Sequence, residues 1–124
     1  MTDPRIAAIV DALSTLRTPA QPGEYDIHTQ IAEALTASGL DFRHEYKLAP
    51  RCRIDFIVGR VGIEVKKGRP VASALTKQLR RYLASDALDA VLVVTQRALP
   101  LPDAIDGKPV HILSLNRLWG IALM

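Results

Sequence analysis

The chain of 124 residues has little of several things, and each shortage excludes something. A single cysteine, Cys52, rules out an internal disulfide and any zinc site built from cysteines alone. Aromatic residues make up only 5% of the sequence, too few for a binder that stacks base after base. No run reaches the roughly 18 apolar residues that span a bilayer. The first residues, Met1-Thr2-Asp3-Pro4-Arg5, lack the basic start and apolar core of a signal peptide. Length and an apolar fraction of 48% are those of one globular domain, covering 1–124. The expectation is an intracellular, cytoplasmic protein with no membrane partner.

What is present is an uneven charge. Residues 43–81 hold eleven basic residues and three acids, Glu45, Asp55 and Glu64, whereas the rest of the chain holds five bases and ten acids. A basic middle between acidic flanks suits a polyanionic partner, although a solvated face that keeps the chain apart from its neighbours has the same composition.

Periodicity orders the chain as α, α, β, β, β, α, β, β, α. Asp3-Pro4 reads as an N-cap followed by proline in the first turn. Ile6, Ile9, Val10, Leu13 and Leu16 then predict a helix over about 4–17. A second helix runs from about 24 to 38 with the stripe Ile27, Ile31, Ala34 and Leu35, and Gly39 stops it. Phe42, His44, Tyr46 and Leu48 alternate as a strand, then Ile54, Phe56 and Val58, then Val61, Ile63 and Val65. A third helix is expected over 71–84, with Leu75, Leu79, Tyr82 and Leu83 on its apolar side. Ala90–Thr95 is a buried strand, Val110–Leu115 another, and 116–124 a closing helix. The fold class is α/β (α+β): a mixed sheet with helices on both faces.

Gly59-Arg60 separates the second and third strands, and a Gly-X loop suits a type II′ hairpin. That turn pairs Val58 with Val61, Ile57 with Gly62, Phe56 with Ile63 and Asp55 with Glu64. It also puts Ile54, Phe56 and Val58 on one apolar face. Opposed acids repel unless something neutralises them, and a hard divalent cation does so. Lys66 shares their face, and Gly62 leaves room beside them, so the expectation is a small anionic pocket with one ammonium at its edge. The bland alternative is a wet polar face with Asp55 and Glu64 in ordinary ion pairs to Arg53 and Lys66.

Arg-Ile-Asp55-Phe followed by Ile-Glu64-Val-Lys66 resembles the signature of the PD-(D/E)XK nuclease superfamily, with Ile54 where a proline is frequent. Gln78-Leu-Arg-Arg-Tyr82 resembles the Q-x-x-x-Y element of its RecB-like branch, two side chains on one helical face. Glu24 and His28, also four apart, lie on the sheet side of the second helix, where such proteins place a metal ligand. The likeness covers about 24–95 and implies a restriction-endonuclease-like αβββαβ core, with an extra N-terminal helix and a C-terminal strand and helix.

The resemblance implies that Asp55, Glu64 and the Val65 carbonyl bind Mg2+ or Mn2+, with Glu24 or His28 completing the shell. It implies that Lys66 assists hydrolysis, that Gln78 orients backbone or water, and that Tyr82 supports the site. Arg51, Arg53, Arg60, Lys67, Arg69, Lys77, Arg80 and Arg81 are candidates for phosphate contact. Glu45 is expected in a salt bridge, His44 and His111 as packed side chains, Cys52 as a strand residue without a nucleophile's surroundings, and Trp119 as core.

The function so implied is a metal-dependent DNA nuclease of bacterial or phage-like kind. The alternatives are a dimeric junction resolvase and a catalytically idle nucleic-acid-binding module or subunit. DNA is the expected partner, RNA is not excluded, and a homodimer fits the resolvase reading.

Overall fold

A computed structural model describes residues 3–14, 16 and 24–115, with the side chains of 24–26 outside that description. The helix read over 116–124 and its Trp119 also lie outside the described residues.

Helix α1 spans Pro4–Leu13, where Asp3 caps it by accepting the Arg5 N–H at 2.8 Å. It ends four residues earlier than its apolar stripe predicts, but Leu16 beyond it is still buried. Helix α2 spans Glu24–Ala37 and buries Ile27, Ile31 and Leu35. Gly39, at φ +73°, closes it as a C-terminal glycine should. The Leu40 N–H reaches the Leu35 carbonyl, and the Gly39 N–H reaches that of Thr36.

Strands β1 (Arg43–Ala49), β2 (Cys52–Val58) and β3 (Val61–Lys66) form an antiparallel meander. Helix α3 (Ala72–Leu83) then crosses over to β4 (Ala90–Thr95), which runs parallel to β3. A short β5 (Ala104–Ile105), not anticipated from the sequence, precedes β6 (Lys108–Ser114). The six-stranded mixed sheet has the order β1-β2-β3-β4-β6-β5. No helix of the described residues is long and apolar enough to cross a membrane.

Helices α1 and α2 cover one face, over Phe56, Val61, Ile63, Val65, Leu92 and Val94. Helix α3 covers the other with Leu75, Leu79, Tyr82 and Leu83, over Ile57, Val91 and Val93. An exposed ionic cluster ties the layers together. Asp89, at the start of β4, accepts from Arg5 of α1 at 2.8 Å and from Arg60 of the β2–β3 turn at 2.9 and 3.0 Å. The two guanidinium groups hold the Asp89 carboxyl down at about 2.

The hairpin carries the site. Gly59 has φ +59° while Arg60 stays at negative φ, the pattern a type II′ turn requires. The ladder then pairs Val58 with Val61, Ile57 with Gly62 and Phe56 with Ile63, as the turn predicts.

Two expectations fail just beyond it. Asp55 and Glu64 do not continue the ladder, whose last pair is Phe56 with Ile63. Ile54 and Phe56 do not share a face either: Phe56 packs under α1 and α2, and Ile54 packs on the α3 side. The same break runs into β1, where the positions beside the gap pair as His44 with Phe56 and Tyr46 with Ile54. Glu45 between them sits at φ +54°, so His44 and Tyr46 also part to opposite faces. One irregularity shared by facing strands therefore turns the chain over at Glu45 and Asp55. The room expected at Gly62 is filled as well, since a Cβ there would collide with Ile54 Cδ1 and press on Leu88.

Candidate active site

Where the β2–β3 ladder stops, two backbone donors lose their strand partners, and buried N–H groups need acceptors. The carboxylates supply them across the gap. Asp55 Oδ2 accepts the Val65 N–H at 2.8 Å, and Glu64 Oε1 accepts the Asp55 N–H at 3.3 Å. The two acids are thus interlocked through each other's strands rather than set side by side as a ladder pair.

Glu64 is almost fully buried and faces α3. Its Oε2 accepts the Tyr82 hydroxyl at 3.1 Å and lies 3.2 Å from Lys66 Nζ. Tyr82 lies as close to the Arg53 carbonyl, so its one proton serves two acceptors, and its oxygen accepts from Gln78 Nε2 at 2.8 Å. Gln78 and Tyr82 share one face of α3, four residues apart, so a single line of hydrogen bonds runs from Gln78 through Tyr82 to Glu64. The Glu64 carboxyl is pushed up to about 7, first by burial and then by the charge of Asp55, against the opposing pull of Lys66. Burial and the Glu64 charge push the Tyr82 hydroxyl far up, so it stays a donor.

On the α2 side, His28 Nε2 lies 3.6 Å from Asp55 Oδ2. Its Nδ1 is 2.9 Å from Nε2 of His44, a residue the alternation pattern places in the packing but which is exposed. The sequence gives no sign of this second contact, because it joins α2 to β1, 16 residues apart in the chain. Glu24 belongs to the first turn of α2, but its side chain lies outside the described residues. Glu45 makes its salt bridge with Arg53, at 3.7 Å between exposed side chains.

Two carboxylates, an imidazole and an ammonium thus meet at the opening of the hairpin. Among the described residues no three His, Cys, Asp or Glu side chains close into a finished metal shell. The donor chemistry nonetheless fits a hard divalent cation. Asp55 and Glu64 are oxygen donors, the Glu64 carboxyl is raised first by burial and then by the Asp55 charge, and a cation held by both would relieve that cost.

The basic residues divide into two kinds. Lys66, Lys67, Lys77 and Arg81 line a cleft of about 580 Å³ that begins at the site, with Pro70, Val71, Ala74, Leu75 and Gln78 forming its floor and walls. Val71, 66% exposed, is the large apolar residue that stands out of this surface. A second basic hollow, lined by Lys47, Arg51 and Arg53, adjoins the first where Arg81 donates to the Arg51 carbonyl at 3.0 Å. Arg69 and Arg80 are exposed. Arg60 differs from the rest, because both carboxylate oxygens of Asp89 already hold its guanidinium.

Compared with protein-family models, with curated proteins and with solved structures, the chain matches none.

Proposed function

We propose that this chain is a metal-dependent phosphodiesterase acting on DNA, a nuclease with the restriction-endonuclease-like core of the PD-(D/E)XK superfamily. The observation that carries the reading is Glu64. A nearly buried acid is held by the Asp55 N–H, the Tyr82 hydroxyl and the Lys66 ammonium, and Tyr82 is held in turn by Gln78. These are the positions that the two sequence motifs mark independently, and a solvated polar face has no use for such an arrangement.

Asp55, Glu64 and the Val65 carbonyl, with His28 at the edge, would hold Mg2+ or Mn2+, which would supply an acidified water and neutralise charge on the phosphoryl group. The chain's own residues do the rest. Tyr82 and Gln78 keep the Glu64 carboxylate from rotating away. Lys66, on the rim between Glu64 and the cleft, offers its ammonium to the attacking water or to the charge that develops on phosphate. Lys67, Lys77 and Arg81 position the strand through its backbone without reading its sequence.

The test is cleavage of supercoiled plasmid, linear duplex, single strands and a four-way junction with Mg2+ or Mn2+, beside EDTA and Lys66→Ala controls. Cutting that disappears in both controls is expected. A folded protein that binds these substrates and cuts none of them overturns the enzymatic reading in favour of a binding module. A Lys66→Ala variant as active as the parent overturns the role given to the lysine.

A further inference from the structure

Both ring nitrogens of His28 face a polar group, and Nδ1 is the one within hydrogen-bond distance of its neighbour. Nε2 faces Asp55 Oδ2 at 3.6 Å, and Nδ1 faces His44 Nε2 at 2.9 Å. His44 is itself fixed: its ring stacks on Phe56 at 4.6 Å between centroids and 23° between planes, and the two rings of the pair meet edge to face at 5.1 Å. His44 reaches this face as the cross-strand partner of Phe56, while the turnover at Glu45 sends Tyr46 and Leu48 to the other side.

Two imidazole nitrogens at 2.9 Å share one proton, so one ring donates and the other accepts. That choice decides what His28 shows to Asp55. If His44 Nε2 carries the proton, His28 Nδ1 accepts it, and neutral His28 presents an N–H to the carboxylate. If His28 Nδ1 carries it, His44 accepts, and His28 presents a lone pair. Each neutral ring keeps one proton in both arrangements, so in the second His28 is bare at Nε2 and His44 carries its proton at Nδ1. A histidine beside a cation has to offer a lone pair, and the partner of its other nitrogen fixes that tautomer.

We propose that His44 is a positioning residue for the cation site. By accepting the Nδ1–H of His28, it holds the Nε2 lone pair toward the cation at Asp55. The inference rests on the metal-dependent reading above and adds to it a residue from β1 that neither motif contains.

Two substitutions separate the hydrogen bond from the packing. His44→Phe keeps an aromatic ring against Phe56 and removes the acceptor, whereas His44→Gln keeps an acceptor oxygen at the end of the side chain. Mn2+ affinity, read from the free-ion electron paramagnetic resonance signal without nucleic acid, is expected to weaken about 10- to 100-fold in His44→Phe, the range typical of losing such an outer partner. His44→Gln recovers most of that loss. Equal affinity in His44→Phe and the parent overturns the proposal, as does equal weakening in both variants. A parent chain that binds no Mn2+ overturns the metal reading itself, which distinguishes that failure from the others. Histidine 15N spectra of the unaltered protein with Mg2+ give a check that needs no variant. His28 protonated at Nδ1 is expected, and His44 protonated at Nε2 with His28 bare at Nδ1 overturns the proposal.

Discussion

Asp55 Oδ2 accepts the Val65 N–H at 2.8 Å, two residues past Ile63, where β3 ceases to pair with β2. A side chain has taken over the work of a backbone carbonyl. The reciprocal bond from the Asp55 N–H to Glu64 Oε1 makes the exchange two-sided, so the hairpin is closed at its end by the two acids themselves. Hydrogen bonds to ionised acceptors are stronger than neutral ones, but here they do not offset burial and the neighbouring charge, since the Glu64 carboxyl still stands at about 7. The exchange means that the candidate catalytic acids are structural parts of the hairpin.

Substitutions at Asp55 therefore separate structure from chemistry. Asp55→Ala leaves the Val65 N–H without its acceptor, a loss of about 1–3 kcal/mol for a buried donor. Asp55→Asn keeps an oxygen in place and removes the charge that opposes ionisation of Glu64, so it is expected to lose clearly less stability than the alanine. Both are expected to abolish cleavage. Urea unfolding in EDTA measures the first effect and plasmid cutting the second. Equal stability of the two variants would show that the Val65 bond contributes nothing.

The raised carboxyl of Glu64 gives the metal-free protein an unusual pH dependence. Its folded value of about 7 stands above the ordinary 4.5, so the native state binds a proton more tightly than the unfolded chain. Stability from this group is fully present below about 4.5 and declines as pH rises toward 7, the reverse of a salt-bridged carboxylate. Thermal unfolding in EDTA from pH 4.5 to 8 should show this decline superimposed on the behaviour of the other groups, and Glu64→Gln should remove it. A variant whose stability falls with pH as steeply as the parent's would assign the decline to another group.

The parts of the molecule that were legible in the sequence depend on near neighbours. Gly59-Arg60 fixes the turn, the turn fixes the register through Phe56 and Ile63, and the spacing of Gln78 and Tyr82 puts both on one side of α3. What escaped depends on contacts between distant segments. Strict alternation cannot register the turnover at Glu45 and Asp55, because Ile54 and Phe56 are both buried and look alike to a two-residue period. The filling of the Gly62 space by Ile54 is a consequence of that one local event, and the contact of His44 with His28 joins β1 to a helix 16 residues earlier. Arg60 resembles its basic neighbours until Asp89, 29 residues away, is folded against it.

That division among the basic residues gives a quantitative expectation for DNA binding. Each phosphate neutralised by a lysine or arginine adds about 0.9 to the slope of log affinity against log salt on duplex DNA. Lys77 and Arg81 line the cleft that opens from the site, so Lys77→Ala and Arg81→Ala should each flatten that slope by about 1 and weaken binding to all sequences alike. Arg60 is as basic and as exposed, but its guanidinium is held by both oxygens of Asp89 at 2.9 and 3.0 Å. Arg60→Ala should leave the slope where it was and show its effect in stability, since it loosens the tie between the hairpin turn and β4. Anisotropy of a labelled duplex in EDTA, titrated across a series of KCl concentrations, measures all three variants without cleavage. If Arg60→Ala flattens the slope as much as Lys77→Ala does, the DNA runs over the hairpin turn instead of along α3, and the cleft beside Lys66 is not its path.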